Sequence, residues 1–158
     1  GCVRMTERHL ASDPPTEAEI AGATADIEAA LDAIEAAVDL SGAGTLVGLA
    51  GSITTLTAHA LDLPEYDPQA IHLARVPAPT VSAKARDLLT MSRHERSELG
   101  FMHPGRVDVI GAGALVWERV VDRVVAVSAD VVVVTSEHDI LDGIALSLAR
   151  RRPGTDRD

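Results

Sequence analysis

Apolar and small residues recur at helical spacing through the first third of the chain. Ile20, Thr24, Ile27, Leu31, Ile34 and Val38 follow one another at intervals of three or four, which predicts an amphipathic helix over residues 16–39. Its start is marked by Asp13-Pro14-Pro15-Thr16, where Thr16 and Glu19 make a capping box and Glu17 adds a favourable charge in the first turn. Ser41-Gly42-Ala43-Gly44 ends it. The pattern then becomes a short apolar run at 45–49, a turn at Gly51-Ser52 and a helical stretch at 53–61. Strand, glycine turn and helix in that order form an α/β unit. Residues 63–80 hold four prolines and read as loop, with a short strand at 71–75. Thr80 or Ser82 can cap a helix through Met91, and Ser92 with Glu95 makes a second capping box for a shorter helix to Leu99.

Pro104-Gly105-Arg106 opens another helix, with Ile110, Ala114, Trp117, Val121 and Val124 along one face. Gly111 and Gly113 lie inside it, each costing about 1 kcal/mol relative to alanine, so another backbone or a ligand is expected to approach closely. Residues 130–135 read as a strand apolar on both faces, the pattern of a parallel sheet covered by helices. Ser136-Glu137-His138-Asp139 leaves this strand, and Asp142-Gly143 leads into a last helix through about residue 151. The tail 152–158 is expected to be disordered. Gly1-Cys2-Val3-Arg4 reads as the middle of a strand. Two strands and a stub leave long unpaired edges, which predicts that a further part of the fold lies upstream.

Composition changes this picture little. The chain has 158 residues and only three aromatic ones, Tyr66, Phe101 and Trp117, so Ala, Val, Leu and Ile must build the core of about one domain. Tyr66 reads as exposed. One cysteine, Cys2, forbids an internal disulfide and fits a reducing, cytoplasmic compartment. Val131-Val132-Val133-Val134 is the longest strongly apolar run, far too short for a membrane span. A net charge of −10 argues against a DNA-binding surface while leaving room for one positive pocket. Thirteen of the fourteen basic residues are arginines, suited to bidentate grip on phosphate; a GC-rich coding bias explains the same skew.

Three segments carry candidate chemistry. In Gly48-Leu49-Ala50-Gly51-Ser52-Ile53-Thr54-Thr55, small residues at a strand-to-helix turn leave backbone N–H groups facing open space, where a helix start favours an anion. Ser52, Thr54 and Thr55 add hydroxyls; a plain capping turn is the alternative. In His103-Pro104-Gly105-Arg106-Val107-Asp108, an arginine near a helix start can hold a phosphate, with Asp108 as its orienter, or the pair can be a surface ion pair. Thr135-Ser136-Glu137-His138-Asp139 leaves a buried strand at the end where open α/β sheets bind ligands. Adjacent residues converge poorly on one ion, so a loop-lining role is favoured there over a metal site. The histidines lack zinc spacing, and Cys2 has no visible base.

Four motifs in order resemble the exopolyphosphatase and guanosine-pentaphosphate hydrolase (Ppx/GppA) family. Gly1-Cys2-Val3-Arg4-Met5-Thr6-Glu7 resembles a family strand, Gly-x-Val-Arg-Leu-Thr-Glu, and Gly48 to Ser52 its turn Gly-x-Gly/Ser-Gly-Thr. Arg106 to Ala114 resembles its Arg-Ala-Asp-x-Ile-x-x-Gly helix start, and Ser136 to Ile144 its Ser-x-x-x-Leu-x-(Glu/Asp)-Gly ending. Ser52 replaces the usual threonine and Val107 the usual alanine. The resemblance implies an α/β fold: the second lobe of an actin-like, ribonuclease-H-like ATPase-superfamily structure, truncated at its N-terminal side, with residues 1–150 forming the C-terminal part of the phosphatase domain. It implies hydrolysis of terminal phosphate from polyphosphate or guanosine pentaphosphate (pppGpp), with magnesium, the catalytic glutamate and the phosphate loops belonging mainly to the other lobe. Gly51, Ser52, Arg106 and Asp108 would contact substrate, and homodimerisation of the full-length protein stays open. A non-catalytic lobe that binds a nucleotide or alarmone is the alternative from another class, and an actin-like kinase a third.

Overall fold

The computed structural model describes residues 1–128 and 130–150; the tail assigned to 152–158 lies outside them. The elements run α1 (Cys2–His9), α2 (Glu17–Glu35), β1 (Thr45–Leu49), α3 (Gly51–Ala60), α4 (Pro68–Ile71), α5 (Ala78–Thr90), α6 (Arg93–Ser97), a 3-10 turn (Pro104–Arg106), α7 (Ile110–Val127), β2 (Val132–Ser136) and α8 (Ile140–Arg150).

The first correction falls on the opening residues, which form α1 and not a strand. As a helix the segment satisfies its own backbone groups, buries Met5 and brings Arg8 and His9 onto Asp26 of α2, at 3.1 and 2.9 Å. The long second helix has both reciprocal bonds of the Thr16–Glu19 capping box but ends at Glu35, short of residue 39. Its acidic cap is strong: Glu19 accepts from the amides of Ala11, Ser12 and Thr16 as well as the Thr16 hydroxyl. Neither Thr80 nor Ser82 caps α5, which starts after Pro77; the Ser92–Glu95 box does cap α6. Pro104 to Arg106 is a separate 3-10 turn ahead of α7.

Helix α7 organises the packing. One face (Ile110, Ala114, Trp117, Val121) joins a core with Leu56, Ile71, Val81, Ala85, Leu88 and Phe101. Its other side (Ala112, Leu115) joins a second core with Met5 of α1 and Ile20, Ala23, Ile27 and Leu31 of α2. Its internal glycines permit the close approaches that their positions predict. A Cβ on Gly111 would stand 3.3 Å from the Leu89 backbone of α5, and one on Gly113 would stand 2.7 Å from Ser52 Cβ and nearer still to its hydroxyl.

Strands β1 and β2 pair in parallel, Thr45 opposite Val132 and Leu49 opposite Ser136. The strand anticipated at 71–75 reduces to an antiparallel bridge between Arg75 and Val134, because α4 takes up Ile71. Val133 and Thr135 face the core, but Val132 and Val134 are half-buried and Val47 and Leu49 are exposed. Helix α8 has no buried residue, and Ile140, Leu141, Leu146 and Leu148 are each more than half exposed. The outer face of the sheet is therefore less covered than the two-sided apolar pattern of the strand implied. No described helix is long and apolar enough to cross a membrane.

Candidate functional site

Beyond the C-terminal end of β1 the chain makes an abrupt turn into α3. Ala50 carries it at φ 74°, ψ 166°, a region essentially reserved for glycine and costly for a side chain. That turn leaves the amides of Gly51 and Ser52 ahead of the first intrahelical bonds, which run from Ile53 and Thr54 to the Ala50 carbonyl. No side chain caps this helix start. Gly48 is required two residues earlier, since a Cβ there would lie 2.6 Å from the Trp117 ring.

The turn forms one wall of a cavity of about 430 Å³, lined also by Cys2 of α1, Arg106 of the 3-10 turn, and Val109, Gly113 and Trp117 at or within α7. Gly51, Ser52 and Arg106, remote in sequence, thus share one cavity. The guanidinium of Arg106 lies directly over Gly51, where a Cβ would stand 2.6 Å from it. Its Nη1 donates to the Thr55 hydroxyl at 2.9 Å, and that hydroxyl donates in turn to the Gly51 carbonyl at 2.7 Å. Thr55 is fully buried, so the arginine is anchored to a fixed point.

Asp108 is not its orienter. The Asp108 carboxylate is exposed and pairs with Arg93 at 3.0 Å, and it does not line the cavity. The reason is geometric: the 3-10 turn closes with Val107 buried, which sends residues 106 and 108 in different directions. Arg106 has no carboxylate partner among the described residues, whereas Arg8, Arg86, Arg93, Arg96, Arg119 and Arg123 each have one. The other described arginines without one, Arg4, Arg75 and Arg150, are exposed.

Sequence reasoning passed over one neighbour. Tyr66, read there as exposed, is half-buried, with its ring centroid 6.0 Å from the Arg106 guanidinium carbon. Its hydroxyl lies 2.7 Å from both Thr54 Oγ1 and Glu137 Oε1. Glu137, at the end of β2, therefore serves a hydrogen-bonded link. His138 and Asp142 sit on the exposed side, 3.5 Å apart, and among the described residues no group of three or more His, Cys, Asp or Glu could hold a metal ion. The only signal for Tyr66 was the scarcity of aromatics; its partners lie 12 to 71 residues away.

A cavity with two free helix-start amides and an unneutralised guanidinium can hold an anion. It contains no carboxylate or histidine, so it offers no general base, and it does not fit magnesium, whose ligands are carboxylate and phosphate oxygens.

Comparison with known proteins bears on the family and the fold. The family model for the Ppx/GppA phosphatase family matches residues 1–148. The chain is 48% identical over 149 residues to exopolyphosphatase 2 of Mycobacterium tuberculosis, covering 94% of this chain and 47% of the relative. It is similar to the crystal structure of an exopolyphosphatase-like protein (TM-score 0.91, 44% identity), covering 96% of this chain and 49% of the other. It is also similar to a Ppx/GppA phosphatase of Aquifex aeolicus (TM-score 0.77, 27% identity), covering 93% of this chain and 46% of the other. An exopolyphosphatase of Cytophaga hutchinsonii, 16% identical with a TM-score of 0.77, shares the fold over 95% of this chain and 47% of its own. The chain spans about half the length of each, and its fold is the α/β, actin-like one of these phosphatases. It belongs to the Ppx/GppA phosphatase family.

Proposed function

We propose that the chain forms one lobe of a phosphoanhydride hydrolase that removes terminal phosphate from inorganic polyphosphate or from pppGpp, with its cavity as the phosphate-contacting wall of the cleft. The observation that carries this reading is Arg106: in a chain of net charge −10, it enters the cavity without a carboxylate partner among the described residues. Beside it, the Gly51 and Ser52 amides supply donors of fixed position. Such preorganised donors stabilise the charge that develops on transferring phosphoryl oxygens, and they need no reorganisation as the bond breaks. The cavity supplies no base, so the glutamate that activates water and the phosphate loops are assigned to the half of the family fold that this chain does not span. Magnesium would neutralise phosphate charge there; Arg106, Gly51 and Ser52 orient the substrate from this side.

The experiment is an assay of phosphate release by the full-length protein with magnesium, using polyphosphate and pppGpp in parallel. Release from either substrate is expected, with none from residues 1–158 alone. Binding of both substrates without release would overturn hydrolysis in favour of a nucleotide- or alarmone-binding lobe.

A further inference from the structure

Outside the cavity wall itself, the Tyr66 phenol bridges α3 and the end of β2, elements that also share the buried Thr57–Thr135 hydrogen bond at 2.6 Å. A carboxylate accepts and does not donate, so at 2.7 Å Tyr66 donates its proton to Glu137. The Thr54 hydroxyl, also at 2.7 Å, then donates to the phenol oxygen in preference to the Gly51 carbonyl at 3.4 Å. Burial pushes the Tyr66 pKa up, with Glu137 adding to the rise and Thr54 and Arg106 opposing it, so the phenol keeps that proton at neutral pH. With both lone-pair and proton directions committed, the ring is held at a fixed tilt. The Arg106 guanidinium carbon lies 6.0 Å from its centroid, within the range of cation–π attraction. Arg106 is thereby confined on three sides: by the Thr55 hydroxyl, by the bare backbone of Gly51 and by the Tyr66 ring.

The geometry points to Tyr66 as a positioning residue that, anchored by Glu137 and Thr54, holds the Arg106 guanidinium at the angle from which it meets substrate phosphate. This rests on the cavity being the phosphate site. Two adjacent threonines near the start of α3 divide the work: Thr55 fixes the guanidinium by hydrogen bond, and Thr54 fixes the ring that backs it. The bond to Glu137 ties the end of β2, which does not itself line the cavity, into the same unit.

The test is a double-mutant cycle in the full-length protein, reading kcat/KM for polyphosphate. Tyr66→Leu is expected to lower kcat/KM about tenfold, mainly through KM. Tyr66→Phe, which keeps the ring but loses both anchoring bonds, should recover only part of that loss, and Glu137→Gln should cost less than Tyr66→Leu. In the Arg106→Ala background, Tyr66→Leu should have no further effect, because its action passes through the arginine. A purely structural role predicts equal losses in both backgrounds, and that result overturns the proposal. So does a Tyr66→Leu enzyme equal to wild type while Arg106→Ala is impaired. If Arg106→Ala is itself unimpaired, the phosphate-site reading fails first. Should Tyr66→Leu not fold, Tyr66→Phe and Glu137→Gln carry the same cycle: losses that persist undiminished in the Arg106→Ala background contradict it.

Discussion

Arginines do opposite things in two regions of this molecule. Along the seam between α2 and α7, Arg119 and Arg123 are saturated with carboxylates: Arg119 pairs with Glu28 and Asp122, and Arg123 with Glu28, Asp32 and Glu35. The carboxyl of Glu28 is held low, desolvation being outweighed by its bonds to Arg119 and Arg123, and the charge of each partner is spent on the other. In the cavity, Arg106 is held by a neutral hydroxyl and an aromatic face, which fix its position and leave its charge available. Residue type does not separate these roles. What separates them is whether the fold supplies a carboxylate, and in an acidic chain withholding one is the informative event.

The sharpest way to break this comparison is to remove each arginine. Arg106→Ala in the full-length protein is expected to lower kcat/KM for polyphosphate about 100-fold with little change in melting temperature. Arg123→Ala should do the reverse, lowering the melting temperature in dilute buffer by leaving Asp32 and Glu35 unpaired beside Glu28, which keeps Arg119, with activity retained. Molar salt should shrink that difference; thermal melts at low and high salt decide it, and a salt-independent loss would mean that the seam acts through packing.

Gly51→Ala comes next. Its Cβ would meet the guanidinium at 2.6 Å, and because that is the end of a flexible side chain the arginine yields. A fall in kcat/KM of about tenfold is expected, and unchanged kinetics would show that the position of Arg106 is not critical. A smaller effect in the opposite direction is expected at Ala50, whose left-handed backbone suits glycine. Ala50→Gly should stabilise the fold by about 1 kcal/mol, measured by chemical denaturation; destabilisation would contradict the strain. The smallest effect concerns acid. Hydrogen bonds, first from the Thr16 backbone, lower the Glu19 pKa from its ordinary 4.5 to about 2. A depressed pKa gives stability that is complete above pH 4.5 and is lost as pH falls toward 2. Glu19→Gln should flatten that part of the pH–stability curve, and an unchanged slope would assign it elsewhere.

Much of the fold was legible because its signals are local. The capping boxes at Thr16 and Ser92 and the apolar face of α7 are patterns among neighbouring residues, and the paired glycines of α7 announced a close approach without naming Leu89 or Ser52 as its partner. The opening segment misled because Val3, Arg4 and Met5 suit a strand as well as a helix, and the choice is made by Met5 and Asp26 across the α1–α2 contact. The site was half legible. Gly51, Ser52 and Arg106 stand out as small residues at a helix start and an arginine near another, and the structure brings them together. Asp108 failed as a partner because two residues of sequence say nothing about direction around a 3-10 turn. Glu137 stood out in the loop that leaves a buried strand, but its link to Tyr66 was out of reach for the same reason in stronger form: it spans 71 residues, and only the assembled strand and helix ends create it.

The most direct measurement is the dissociation constant of tripolyphosphate for the full-length protein and its Arg106→Ala variant, without magnesium, at low and moderate salt. The account predicts that the variant binds about tenfold more weakly or worse and shows a shallower salt dependence, because one phosphate-neutralising charge is gone. Equal affinity and equal salt dependence in the two proteins would contradict it, and would move the phosphate site away from this cavity.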